Sequence, residues 1–172
     1  MTRLLLILLI MFLMVSCSPD SEMTSGGTRN ELDRNLYEDR QAYASALSRR
    51  GQSDDSVCSF EILGVACKDR MLNVRVRSRC APGYFVFLWD GVIAESYPAQ
   101  IRMVLSNESP DMQLSGHAGV CSAELLEHEL HIDLSKIRPA ISCSDYVFHI
   151  ANGSKTQDAV LGPDEPVSIT GD

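Results

Sequence analysis

The sequence predicts a mainly β domain over residues 57–172, and three features of the chain support that expectation. Residues 72–77 alternate between apolar and polar side chains, as in a strand with one buried face. Residues 84–89 form a continuous apolar run, which is typical of a strand buried on both faces. Turn residues recur about every eight to fifteen positions, with no convincing helix between them. These features predict an antiparallel β-sandwich, immunoglobulin-like or similar, of roughly seven to nine strands.

The remaining strands and turns of this domain are expected from the same patterns. Asp90-Gly91 and Asn152-Gly153 are dipeptides that favour two-residue hairpin turns. Residues 121–129 fit either a strand or a short helix, and the alternation favours a strand. The further predicted strands cover residues 60–62, 92–94, 101–105, 126–134, 146–150 and 167–170.

The N-terminus has the pattern of an export signal. Arg3 precedes an unbroken apolar run of twelve residues, 4–15. Such a run is too short to span a membrane of about 30 Å as a helix, and it has the length of a signal-peptide core. Ser16 is small, as a cleavage position requires, and Pro19 ends any helix soon after it. Residues 1–16 are therefore predicted to be a signal peptide.

The tetrapeptide Met14-Val15-Ser16-Cys17 resembles the lipobox of bacterial lipoproteins. The resemblance implies that Cys17 receives a diacylglycerol, that the chain is cut before it, and that the new amino group is acylated, for example with palmitate. Several acyl chains on one residue anchor a protein firmly. The residue after Cys17 is Ser18 and not Asp, which resembles the pattern of lipoproteins sorted to the outer membrane. An ordinary secretory signal and a retained transmembrane helix are the alternatives.

The charge of the chain limits its partners. The formal net charge is −8, and removal of residues 1–16, which carry only Arg3, would make it −9. An acidic chain argues against nucleic acid as a partner and against electrostatic attachment to anionic lipid. Attachment to a membrane is therefore expected to occur through the acyl chains on Cys17.

Export permits disulfide bonds, and the chain has six cysteines. If Cys17 is lipidated, five remain, and two bridges with one free thiol is the simplest arrangement. Pairing of close neighbours predicts Cys58 or Cys67 with Cys80. It also predicts Cys121 with Cys143. The candidate disulfide cysteines are therefore Cys58, Cys67, Cys80, Cys121 and Cys143.

Two segments are expected between the signal and the β domain. Residues 17–27 are rich in Ser, Gly and acidic residues and predict a flexible tether. Residues 28–51 predict a helix, with Thr28 and Glu31 at capping-box spacing and Gly51 at its left-handed end. The helix either docks on its own domain or serves as a spacer or partner-binding element. Its apolar stripe (Leu32, Leu36, Tyr43 and Leu47) is interrupted by Asp39 and Arg40.

No motif predicts a catalytic or metal site. His128 and His131 are three residues apart, which differs from the H-E-x-x-H spacing, and on a strand they point to opposite faces. A cysteine nucleophile paired with one of the four histidines (His117, His128, His131 and His149) lacks any supporting local motif. No cofactor is therefore predicted.

One charged feature is a candidate binding surface. Arg75, Arg77 and Arg79 are expected to project from one strand face. This face is a surface for an anion or an acidic partner, or a solvated strand face, or a charged protection of a sheet edge against pairing.

The sequence therefore predicts a membrane-anchored envelope lipoprotein with a non-catalytic domain that binds or scaffolds. Its expected location is the outer membrane, facing the periplasm or the cell surface. The expected partner is another envelope protein or a surface glycan. A small periplasmic hydrolase or thiol enzyme and a secreted soluble binding protein are the alternatives.

Overall fold

A computed structural model describes residues 30–51, 59–107, 123–163 and 167–171, and within them the chain is mainly β. Those residues form ten strands in two sheets, one α-helix and two short 3-10 helices. The strands are β1 (Asn30–Asp33), β2 (Leu36–Glu38), β3 (Phe60–Lys68), β4 (Met71–Ser78), β5 (Val86–Ala94), β6 (Ala99–Ser106), β7 (Leu126–Asp133), β8 (Tyr146–Asn152), β9 (Asp158–Leu161) and β10 (Ser168–Thr170). The helix α1 covers Arg40–Arg49, and the 3-10 helices cover Pro82–Tyr84 and Leu134–Lys136.

The larger sheet has seven strands in the order β1-β2-β5-β6-β8-β9-β10, and it is mixed. The pairs β2–β5 and β6–β8 are parallel, so the expectation of a wholly antiparallel fold is wrong for these two pairs. Parallel neighbours require a long crossover connection. The chain makes one such crossover through α1, β3 and β4, and the other through β7. Periodicity within a strand cannot reveal these crossovers, because it does not depend on which strand lies alongside.

The smaller sheet has three antiparallel strands in the order β3-β4-β7. The alternation predicted over residues 72–77 is confirmed, since Leu72, Val74 and Val76 are completely buried. Residues 126–133 form a strand, as the alternation favours, with Leu130 opposite Val74.

The main core contains side chains from both sheets. Phe60 of β3 meets Phe85 edge-on, with ring centroids 5.0 Å apart. Burial of one such side chain contributes about 1.5–3 kcal/mol. From the larger sheet, the core receives Leu36, Phe87, Trp89, Ile101, Met103, Leu105, Phe148, Ile150 and Ala159.

The segment predicted as a helix over residues 28–51 is helical only in its second part. Residues 30–33 and 36–38 are strands, and α1 begins at Arg40 after the N-cap Asp39. Glu31 lies in β1, and Thr28 lies outside the described residues. Leu36 is buried in the main core and pairs with Phe87 of β5, and this tertiary pairing outweighs the local helical pattern. The segment is thus part of the β domain that was expected to begin at residue 57.

Helix α1 covers part of the outer face of the larger sheet. The helix ends at Arg49, and Gly51 shortly after it has the expected left-handed conformation, with φ of +68°. Ala46 packs with Val86, Leu88 and Val104 in a second core on this face. In β5, Val86 and Leu88 face this helix, whereas Phe87 and Trp89 face the main core. The strand within the run 84–89 is therefore buried on both faces, as predicted.

The two predicted hairpin turns have different outcomes. Asp90-Gly91 does not form a turn but a bulge inside β5, with φ of +80° at Gly91. The Val92 amide donates to Asp90 Oδ1 (3.0 Å), and Trp89 Nε1 donates to the Val92 carbonyl (3.1 Å). The β5–β6 turn lies at residues 95–98 instead. Asn152-Gly153 does begin a hairpin, but its connection to β9 is longer than two residues.

Candidate functional site

A disulfide bond joins the two sheets near one end of the domain. Cys67 of β3 is bonded to Cys143, in the turn before β8, with 5.6 Å between their Cα atoms. The expected local pairs Cys67–Cys80 and Cys121–Cys143 are therefore wrong. The bonded cysteines are 76 residues apart in sequence, and only the packing of one sheet on the other brings them together. Cys17, Cys58 and Cys121 lie outside the described residues.

Cys80 belongs to the main core, where its residue is 4 % exposed. Its amide donates to Ser78 Oγ (2.8 Å), and Asn107 Nδ2 lies 3.8 Å from its sulfur. A cysteine in such surroundings packs as a small apolar residue. Its sulfur therefore lies within the core, away from solvent.

The arginines of β4 lie among carboxylates on the outer face of the smaller sheet. Arg77 pairs with Glu127 of β7 at 2.9 Å and with Glu61 of β3 at 3.8 Å. The hydrogen bond to Glu127 is the main cause that raises the pKa of Arg77. Arg75 is opposite Glu129 in the β4–β7 register, and Arg79 is exposed just after β4 ends. This outer face therefore carries mixed charge in place of a purely basic stripe.

The two histidines of β7 lie on opposite faces of the strand. His131 faces outward, and its Nδ1 lies 2.7 Å from Asn73 Oδ1. His128 is opposite Val76, and its buried Nε2 has no hydrogen-bond partner among the described residues. Within the described ranges, no three His, Cys, Asp or Glu side chains are grouped as metal ligands. His117 lies outside those ranges.

A buried polar network connects the two sheets, and the sequence patterns did not predict it. Asn152 is completely buried, and its Nδ2 donates to the Phe60 carbonyl (2.8 Å). Its Oδ1 accepts from the amide (2.9 Å) and hydroxyl (2.8 Å) of Ser154. The Gln157 side chain exchanges two hydrogen bonds with the Ile62 backbone, at 2.8 and 3.1 Å. The β8–β9 turn is therefore attached to β3 by side chains that act as strand partners.

Arg50 fastens the end of α1 to the same turn. Its guanidinium donates to the carbonyls of Asn152 (3.1 Å), Lys155 (3.3 Å) and Gln157 (3.1 Å). It also pairs with Asp158 Oδ1 at 2.6 Å, and its side chain is only 18 % exposed. Charge-assisted hydrogen bonds of this kind hold the helix on the sheet.

Several ionisable residues lie on the outer face of the larger sheet, beside α1. Burial, and to a smaller extent Asp90, raises the pKa of Tyr43. Burial, and to a smaller extent the nearby charge of Arg102, lowers the pKa of His149. The His149 Nε2 atom is buried and has no hydrogen-bond partner in the part of the chain that the structure describes. Burial is thus the main cause of both shifts, as on a packed face of a sheet.

The turn between β5 and β6 presents an aromatic residue to solvent. Tyr97 is fully exposed (104 %), and Val92 on the same hairpin is 51 % exposed. Two hydrogen bonds order the turn, from the Ser96 amide to the Ala94 carbonyl (3.0 Å) and from Ser96 Oγ to the Pro98 carbonyl (2.6 Å). The ring is therefore held outward by an ordered backbone.

In the part of the chain that the structure describes, no helix has the length and apolar character needed to cross a membrane. Comparisons with protein-family models, curated proteins and solved structures find no match, so the functional proposal depends on the residues of this chain.

Proposed function

We propose that this protein is a lipid-anchored envelope protein whose two-sheet domain binds or scaffolds a partner without catalysing a reaction. The observation that carries the proposal is the Cys67–Cys143 disulfide, since disulfides persist in oxidising compartments such as the periplasm. It agrees with the export signal at residues 1–16 and with the lipobox cysteine Cys17.

The roles of the reactive side chains favour binding over catalysis. Arg50 and Asn152 hold the β8–β9 turn, His131 contacts Asn73, and Cys80 lies in the main core. An active site would require a nucleophile, a base and an orienting group within reach of one another. The described residues supply structural roles for these groups instead.

The partner is proposed to be another envelope protein or a surface glycan. The outer face of the smaller sheet offers Arg75, Arg77, Glu127, Glu129 and His131, a mixed set of donors and acceptors. Such a face suits a polar partner with matching groups more than a nucleic acid, which requires net positive charge. Two packed sheets, as in a sandwich, suit this role. The parallel pairs β2–β5 and β6–β8 differ from the antiparallel sheets of an immunoglobulin-like fold.

The membrane anchor is tested by the mass of the mature N-terminal peptide. We expect a peptide that begins at Cys17 and carries acyl chains, and a Cys17→Ser variant that is neither acylated nor recovered with membranes. A mature N-terminus without lipid would contradict the anchor and favour the secreted soluble protein.

The alternative thiol enzyme is tested by titrating cysteine thiols in native and denatured protein. We expect Cys80, identified by peptide mapping, not to be alkylated in native protein, because it lies in the core. Fast native alkylation of Cys80, with an acidic pH profile and loss of a hydrolytic activity, would favour the enzyme.

A further inference from the structure

We infer that the β5–β6 turn, with Tyr97 at its tip, is the part of this domain that contacts the membrane interface. The inference depends on the proposed lipid anchor at Cys17. Its starting point is the exposure of Tyr97 (104 %), whose ring is not covered by any of the described residues. Tyrosine is enriched at membrane interfaces, where its ring and hydroxyl meet apolar and hydrated regions at once.

The direction of the first strands places this turn at the same end of the sheet as the start of β1, which follows the predicted tether in the sequence. Strand β2 is parallel to β5, and β1 is antiparallel to both. The start of β1 is therefore directed toward the end of the sheet where β5 finishes and residues 95–98 turn. In the registers, Asn30 is opposite Glu38, and Glu38 is opposite Trp89.

The length of the chain before Asn30 is sufficient for this contact. Strand β5 extends from the level of Trp89 to Ala94, a rise of about 16 Å. The thirteen residue steps from Cys17 to Asn30 can span at most about 45 Å. A domain anchored at Cys17 can therefore bring the turn to the same surface.

The chemistry of the turn suits a weakly charged lipid surface. Tyr97, Pro98 and Val92 supply apolar area, and Glu95 supplies one negative charge. An acidic protein is not drawn to anionic lipid, so a zwitterionic surface is the expected one. A single tyrosine binds weakly by itself, but a short tether raises its effective concentration at the membrane to about the millimolar range.

Fluorescence quenching by brominated lipid tests the inference. The lipidated protein is placed in vesicles of phosphatidylethanolamine and phosphatidylcholine, with bromine near the headgroup end of the acyl chains. Two variants are compared, Tyr97→Trp at the turn and Glu129→Trp on the outer face of the smaller sheet. Trp89 is buried in both and supplies the same background.

We expect quenching of Tyr97→Trp to exceed that of Glu129→Trp by at least about twofold, because only the turn enters the interface. Equal quenching of the two variants, or none in protein that floats with the vesicles, would overturn the inference and leave the anchor intact. Wild-type protein that floats no better than Cys17→Ser would instead overturn the anchor, and the inference with it.

Discussion

Asn152 shows how one buried polar residue can hold two sheets together. Its amide group bonds the backbone of β3 on one side and the β8–β9 turn on the other. The sequence indicates a turn at Asn152-Gly153, but it does not show that the side chain is completely buried. Burial depends on β3, which lies more than 90 residues earlier in the chain.

The Asn152→Ala variant should lose about 3 kcal/mol of unfolding free energy, because it removes the buried hydrogen bonds to the Phe60 carbonyl and to the Ser154 amide and hydroxyl. Urea unfolding measures the loss. Asn73→Ala is the matched control, since Asn73 bonds His131 on the outer face, and it should cost less than about 1 kcal/mol. Equal losses in the two variants would contradict the bridging role of Asn152.

His149 should make the folded state sensitive to acid. Burial lowers its pKa in the folded protein, with Arg102 acting in the same direction and Asp158 opposing it. The unfolded chain therefore binds more protons as the pH falls through the usual histidine range, about 6.5. The contribution of His149 to the unfolding free energy is fully present above that range. It is lost as the pH falls toward the lower pKa of His149 in the folded state.

The His149→Gln variant should reduce this dependence. We expect its unfolding free energy, measured by denaturant titration, to decline less than that of wild type between neutral and mildly acidic pH. The comparison uses slopes, because the substitution also changes packing at every pH. An unchanged slope would show that other groups cause the acid sensitivity.

At the scale of elements, α1 is a short helix whose start depends on one residue. The interruption of the apolar stripe at Asp39 and Arg40 is where the helix begins. Asp39 Oδ1 accepts from the Ala42 amide (2.8 Å), and the Asp39 amide donates to the Trp89 carbonyl (2.9 Å). A cap and a strand contact thus meet at the same residue, which the capping-box spacing at Thr28 and Glu31 did not indicate.

The Asp39→Ala variant should lose about 1 kcal/mol of unfolding free energy, as is usual when an N-cap is removed. Asp39→Asn is the control, because asparagine also caps well and should remain close to wild type. Thermal or urea unfolding distinguishes the two. If Asp39→Asn lost as much as Asp39→Ala, the charge of Asp39 would matter more than its capping bond.

At the scale of the whole molecule, the Cys67–Cys143 bond links the sheets across a long stretch of chain. A cross-link between residues 76 positions apart restricts the unfolded chain strongly. The bond, the Asn152 network and the shared apolar core all act between the same two sheets. The sheets should therefore unfold together as one cooperative unit.

The Cys67→Ser, Cys143→Ser double variant should lose about 2–4 kcal/mol of unfolding free energy. Non-reducing peptide mapping of wild type should first recover the two cysteines in linked peptides. The single variant Cys67→Ser should lose a similar amount, since either change opens the same loop. A double variant as stable as wild type would show that the bond does not stabilise the folded protein relative to the unfolded chain.

The sequence alone determined the mainly β class, most strand positions, the inward face of residues 72–77 and the opposite orientation of His128 and His131. These features follow from a period of two residues, which is local to each strand. The tertiary structure alone decided the parallel pairs, the strand at Leu36, the bulge at Gly91 and the partner of Cys67. It also placed Asn152 in the core and Tyr97 in solvent. These outcomes depend on which distant segments pack together, because neighbours in space decide burial and pairing.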